Sequence, residues 1–181
     1  MKGITGDLFN LIISDIMEVS VNLPYAFITG ILFLAICLSY FKIRHFRIER
    51  KLLFKAFAVA LFAVYFHMLL YIVYFSRENG SRDGINMVLL GTWGNTLQDH
   101  AWVIENVVLF IPFGLVLPCI MNKRKYLVIF LGCVCSICIE IFQLKTGRGY
   151  CQLDDIVMNT AGTVLGYVGY KVFDKLIVPK R

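Results

Sequence analysis

The chain has 181 residues, 59% of them hydrophobic and 17% charged, with a mean hydropathy of +0.73 and a formal net charge of +6. That is too apolar for an ordinary soluble domain and too short for more than one bundle, so the chain is an integral membrane protein. Nucleic acid is excluded as a partner, because the basic residues fall in short clusters between apolar runs and form no continuous stripe.

Residues 4 to 21 interleave Ile4, Leu8, Leu11, Ile12, Ile16 and Val19 with Asp7, Asn10, Ser14, Asp15 and Glu18, which predicts an amphipathic helix lying in the membrane interface. This segment has no compact apolar core before a small-residue cleavage site, so it does not read as a signal peptide. The expected division is an interfacial segment at 1–22 and one membrane domain at 23–181. Leu23 to Phe41 is long enough for a first crossing. Lys42, Arg44, Arg47, Arg50 and Lys51 then form the densest positive cluster, which places that connection in the cytoplasm and the N-terminus outside.

Leu52 to Phe75 is the second crossing. His67 lies deep within it, where an imidazole must find a partner. It is either a functional ionisable group or a neutral ring satisfied by a neighbouring helix. Ser76 to Glu105 is the longest connection; Gly80, Gly84, Gly91 and Gly94 break it up, while Met87 to Leu90, Trp93 and Trp102 suggest that it dips into the outer interface. Asn95 or Thr96 is placed to cap a helix running through Trp102 into the third crossing, Asn106 to Met121, whose Pro112 and Pro118 predict a kink.

Lys123, Arg124 and Lys125 mark a second cytoplasmic turn, and Tyr126 to Phe142 climbs back out, carrying Glu140 and Gln143 near its outer end. A short polar loop holds Arg148 between Gly147 and Gly149. Ile156 to Phe173 then returns inward to Lys171, Lys175, Lys180 and Arg181. The expected fold is therefore all-α: a bundle of five transmembrane helices plus an N-terminal amphipathic helix, N-terminus outside and C-terminus inside.

In the last crossing Asp155, Asn159, Gly162 and Gly166 follow one another at intervals of four, three and four residues, which puts them on one stripe. Such a stripe should face protein, the glycines admitting a neighbouring backbone. On this topology Asn106, Glu140, Gln143, Arg148, Asp154, Asp155 and Asn159 all belong at the outer level. Polar groups at that depth are costly unless they pair or face water, and a shared extracytoplasmic cleft is the simplest solution. Arg148 has the planar fork to hold a phosphate or carboxylate. Glu140 with Asp154 or Asp155 offers hard oxygens for a divalent cation, or an acid/base pair if the two stand close. The bland alternative is an internal network that pins helix ends, with Arg148 neutralising Glu140 or Asp155.

Six cysteines do not form a disulfide framework, since Cys37, Cys119, Cys133, Cys135 and Cys138 sit inside apolar runs and only Cys151 lies in a loop. Cys135 and Cys138 match C-x-x-C but read as small hydrophobes within a helix. His45 and His100 stand in no metal or serine-triad spacing, which disfavours a serine or cysteine hydrolase.

Asn106 to Pro118 in the order N-x-x-x-F-x-P-x-G, then Glu140-x-x-Gln143, Arg148, and Asp154-Asp155-x-x-x-Asn159-Thr160-x-Gly162-x-x-x-Gly166-Tyr167, together resemble the VanZ-like family of bacterial membrane proteins over about residues 82–170. Arg82 and Asn86 fit a further R-x-x-x-N-L-x-P-F stretch of the family, but Met87 to Gly91 replaces its proline and phenylalanine, which puts the role of the long loop in doubt. The resemblance implies a plasma-membrane protein associated with resistance to teicoplanin, a glycopeptide that meets a lipid-linked peptidoglycan precursor at the outer surface. Two functions compete. The first is binding or remodelling of an anionic lipid or cell-wall-precursor headgroup through Arg148, with Asn106, Glu140, Gln143, Asp155 and Asn159 shaping the site. The second is an outer-leaflet enzyme using Glu140 and Asp154 or Asp155 on a phosphate or ester bond.

Overall fold

The computed structural model describes residues 4–47, 49–80, 84–94, 96–121 and 125–177. Arg82, Asn95, Lys123, Arg124, Lys180 and Arg181, used in the reading above, lie outside the described residues.

Helix α1 spans Ile4–Ser20, α2 Leu23–Ile43, α3 Arg50–Leu70, α4 Leu97–Ile120, α5 Lys125–Thr146 and α6 Leu153–Ile177. Helix α3 runs on into a π-helical turn at Tyr71–Phe75. Two-residue strands β1, Ile85–Asn86, and β2, Cys151–Gln152, pair in parallel and tie the long connection to the α5–α6 turn. The chain is thus a helical membrane protein, with one small strand pair among the described residues. Among the described residues four helices, α2, α3 with its π turn, α4 and α5, are long and apolar enough to cross a membrane.

Helix α6 is 25 residues long but is not among those four. Its middle carries Asn159, Thr160, Gly162, Thr163, Gly166 and Gly169, residues suited to contact with protein rather than lipid. The expected stripe packs on α4, so closely that a Cβ at Gly162 would strike the Val107 carbonyl and one at Gly166 the Ile111 carbonyl. Gly114 on α4 meets the Thr163 carbonyl in the same way, and Gly132 on α5 makes room for the Thr163 side chain. These glycines therefore close packing within the chain, bringing backbones together where dispersion contacts replace the absent hydrophobic drive.

Around this seam Leu69, Val73, Phe110, Phe113, Leu117, Val128, Tyr167 and Tyr170 form the core. Helix α4 begins as expected at Thr96, whose hydroxyl accepts from the Asp99 N–H while the Asp99 carboxylate accepts from the Thr96 N–H, a complete capping box. The helix continues through Pro112 and Pro118 to Ile120, so the third crossing and the segment leading into it form one helix of 24 residues. Helix α1 packs against α4, where Gln98 donates to Asp15 at 3.4 Å.

His67 finds both partners on and just before α2. Its Nε2 lies 2.9 Å from the Asn22 amide nitrogen, and its Nδ1 2.9 Å from the Thr29 hydroxyl. Since that hydroxyl donates to the Tyr25 carbonyl, the directions close for a neutral ring protonated on Nδ1. All six cysteines are free.

Candidate functional site

The predicted polar residues gather at one end of the bundle, where α3 ends, α5 ends, and α4 and α6 begin. Three devices put them there.

The first is the π turn. Ser76 N–H reaches back to the Tyr71 carbonyl and Arg77 N–H bonds the Tyr74 carbonyl, leaving the Val73 carbonyl without its α-helical donor. The Gln143 amide fills that place at 2.9 Å, and the Arg148 Nη1 donates to the Tyr74 carbonyl at 2.9 Å. The second is the end of α5, where Gly147 adopts φ +60°, Arg148 N–H bonds the Gln143 carbonyl and Gly147 N–H the Leu144 carbonyl. This glycine-terminated cap delivers Arg148 to the loop, where its guanidinium stands 4.2 Å above the Tyr74 ring. The third is the first turn of α6, which carries Asp154 and Asp155 just ahead of the apolar run starting at Ile156.

Asp154 is only 2% exposed, and its two oxygens accept from the N–H groups of Leu90 and Thr92 at 2.6 and 2.7 Å. Burial pushes its carboxyl up, but the Thr92 and Leu90 donors overcome that and hold it below the usual carboxylate range. Asp154 thus anchors the long connection, each of its oxygens engaged by a backbone donor.

Asp155 accepts from the Asn106 amide at 2.8 Å. Its carboxyl is pushed up to about 6, first by burial and also by Asp154, against the opposing effects of Arg77 and Asn106. Glu140, 2% exposed, accepts the Gln152 N–H at 2.8 Å and lies within the electrostatic reach of Asp155 and Arg77. Asn159 donates to Ser136 at 2.8 Å, while its own Oδ1 is buried without a partner.

The expected pairing of Arg148 with a carboxylate changes here. The guanidinium facing Glu140 and Asp155 belongs to Arg77, to which the sequence analysis gave no role. Gly149 leaves room for it, since a Cβ there would lie 2.8 Å from the Arg77 Nη1. Arg148 points instead to Tyr74. Among the described residues no carboxylate pairs with it, and its Nε–H is buried without an acceptor. Nor, among the described residues, do any three His, Cys, Asp or Glu side chains assemble as a metal-binding group. Ser136, four residues before Glu140, was also missed; its signal was the polar stripe Ser136, Glu140, Gln143 on α5.

Fold and site together define a helical membrane protein with a buried, hydrogen-bonded polar cluster at one end of a glycine-tightened bundle. The family model for VanZ/LLP1 matches residues 57–174, and the chain belongs to that family. The Protein VanZ of Enterococcus faecium is similar, at 28% identity over 135 residues covering 70% of this chain and 81% of the relative. No solved structure matches the chain.

Proposed function

We propose that this is a plasma-membrane protein of five crossings whose polar end faces outward and binds the anionic headgroup of a lipid or lipid-linked cell-wall precursor. Arg148 makes the contact, and Asn106, Glu140, Gln143, Asp155 and Asn159 hold the frame around it. The observation that carries this reading is the state of Arg148: a half-buried guanidinium, immobilised by one carbonyl and one aromatic face, that retains a buried N–H with no acceptor. A buried donor left unmade costs about 1 to 3 kcal/mol, so its retention suits a partner that supplies the acceptor, and a phosphate or carboxylate oxygen is the strongest.

The orientation rests on the exposed Lys42, Arg44, Arg47, Arg50 and Lys51 at the α2–α3 connection, the end opposite the polar cluster. The fifth crossing is α6, whose polar positions are absorbed by α4 and α5. Kinship with Protein VanZ and the resemblance set out above suggest glycopeptide resistance, teicoplanin in particular, as the setting, with a peptidoglycan precursor headgroup as ligand.

The test is retention of spin-labelled phosphatidylglycerol over phosphatidylcholine by the purified protein in vesicles. Arg148→Gln should abolish the preference and Arg148→Lys restore part of it, since an ammonium keeps the charge but not the planar fork. A preference unchanged in Arg148→Gln would overturn the reading.

The enzymatic alternative is favoured by one observation, an Asp155 carboxyl pushed up to about 6 by burial and placed within electrostatic reach of Glu140. It requires product formation from membrane lipid extracts that disappears in both Glu140→Gln and Asp155→Asn.

A further inference from the structure

The connection between α3 and α4 exposes Ile85, Met87, Val88, Leu89, Leu90 and Trp93, each more than half accessible. This segment is not a spanning helix, so its non-helical backbone would ordinarily need water. The hydrogen bonds say otherwise. Val88 N–H is taken by the Asn86 side chain, Leu90 and Thr92 N–H by Asp154, Gly91 N–H by the Val88 carbonyl, Trp93 N–H by the Leu90 carbonyl and Gly94 N–H by the Thr92 carbonyl. The Thr92 hydroxyl donates to Gln152 at 2.6 Å. The loop thus turns its apolar side chains out while six of the seven N–H groups from Val88 to Gly94 are satisfied from within, the reverse of a loop built for solvent. Non-helical backbone is tolerated at membrane depth when its polar groups are satisfied by protein. Leu90 even adopts φ +62°, a conformation costly for a leucine, in the geometry that delivers its N–H to Asp154.

The loop also sits where a membrane interface must be. Its root, β1, pairs with β2 beside Arg148, and Asp154 joins its tip to the first turn of α6. The apolar surface is therefore level with the helix ends, at the boundary of headgroups and acyl chains.

We propose that residues 85–93 form a finger that inserts into the acyl–headgroup boundary of the leaflet at the polar end of the bundle, with the buried Asp154 carboxylate satisfying the backbone donors that insertion would otherwise strand. The finger's occupant is lipid, and through the β1–β2 pair it sets the height of the Arg148 loop relative to the headgroups. The inference does not depend on whether Arg148 binds a headgroup.

The chain has two tryptophans, so Trp102→Phe leaves Trp93 as sole reporter. In vesicles, Trp93 emission should be largely lost to a nitroxide placed on the lipid acyl chain close to the headgroup and little changed by aqueous iodide. Adding Leu89→Asp, an exposed substitution that spares the hydrogen bonds, should reverse the pattern. Asp154→Asn should do the same by freeing the loop, and Leu89→Asp keeps the test decisive if the asparagine variant fails to fold. Quenching of Trp93 by iodide but not by lipid nitroxide overturns the proposal. So does protection from both quenchers, which would mean that a protein surface covers the finger.

Discussion

The two adjacent aspartates show how far environment outweighs residue type. Asp154 accepts two short backbone hydrogen bonds and is held ionised, whereas its neighbour, one amide donor poorer, is pushed up to about 6. For Asp155 the folded state therefore holds the proton more tightly than the unfolded chain. Its contribution to stability is greatest below the ordinary value of 3.8, falls as pH rises through the window up to about 6, and is level above that. Thermal unfolding in detergent should show this as a difference between wild type and Asp155→Asn that grows more unfavourable to the wild type across that window. A difference independent of pH would mean that Asp155 titrates normally. Asp154 works in the opposite sense, and using the asparagine variant as reference removes it from the comparison.

At the scale of elements, α6 and its partners are the case where small residues do the structural work. The stripe Asp155, Asn159, Gly162, Gly166 was legible because helical spacing alone puts those positions on one face. What spacing could not name was the partner, which turns out to be α4 with its own Gly114. A methyl at Gly166 would meet the Ile111 carbonyl, which is backbone and cannot swing aside, so Gly166→Ala should cost about 1 to 3 kcal/mol by overpacking. At Gly169 the nearest atom is the Leu115 Cδ1 at 3.6 Å, an ordinary contact, and Gly169→Ala should be neutral or stabilising through helix propensity. Denaturation of the two variants in mixed micelles separates them, and equal effects would dismiss the seam as the cause. The π turn had no such signal. Tyr71–Phe75 reads as the plain end of an apolar crossing, and the inserted residue matters only because Gln143 and Arg148, distant in sequence, use the carbonyls it presents.

For the whole molecule, the polar cluster and the basic α2–α3 connection lie at opposite ends of the bundle. Helices α3, α4 and α5 separate the α2–α3 connection from the α5–α6 turn, so three crossings put the two on opposite sides, and a single cysteine at Tyr150 in a cysteine-free background should be labelled from outside intact cells by an impermeant maleimide. One at Phe46 should be labelled only after lysis. Both positions are about half exposed, so the contrast reads topology and not burial. Labelling of both from the same side would reject three crossings between these positions and with them the outward-facing site.

The membrane class, the positions of the apolar helices, a cap at Asn95 or Thr96 and the glycine stripe followed from the sequence by itself. Each depends on neighbours a few residues apart, through helical period, capping chemistry and charge between apolar runs. The family was legible too, because its ordered residues are carried in the chain itself. The tertiary structure decided which charge meets which: Arg77 and not Arg148 faces the carboxylates, Asp154 captures amides sixty-four and sixty-two residues away, and both nitrogens of His67 are taken up by Asn22 and Thr29. Electrostatic partnership depends on distance in space, and no local pattern encodes which of two arginines the folded backbone will turn toward an acid.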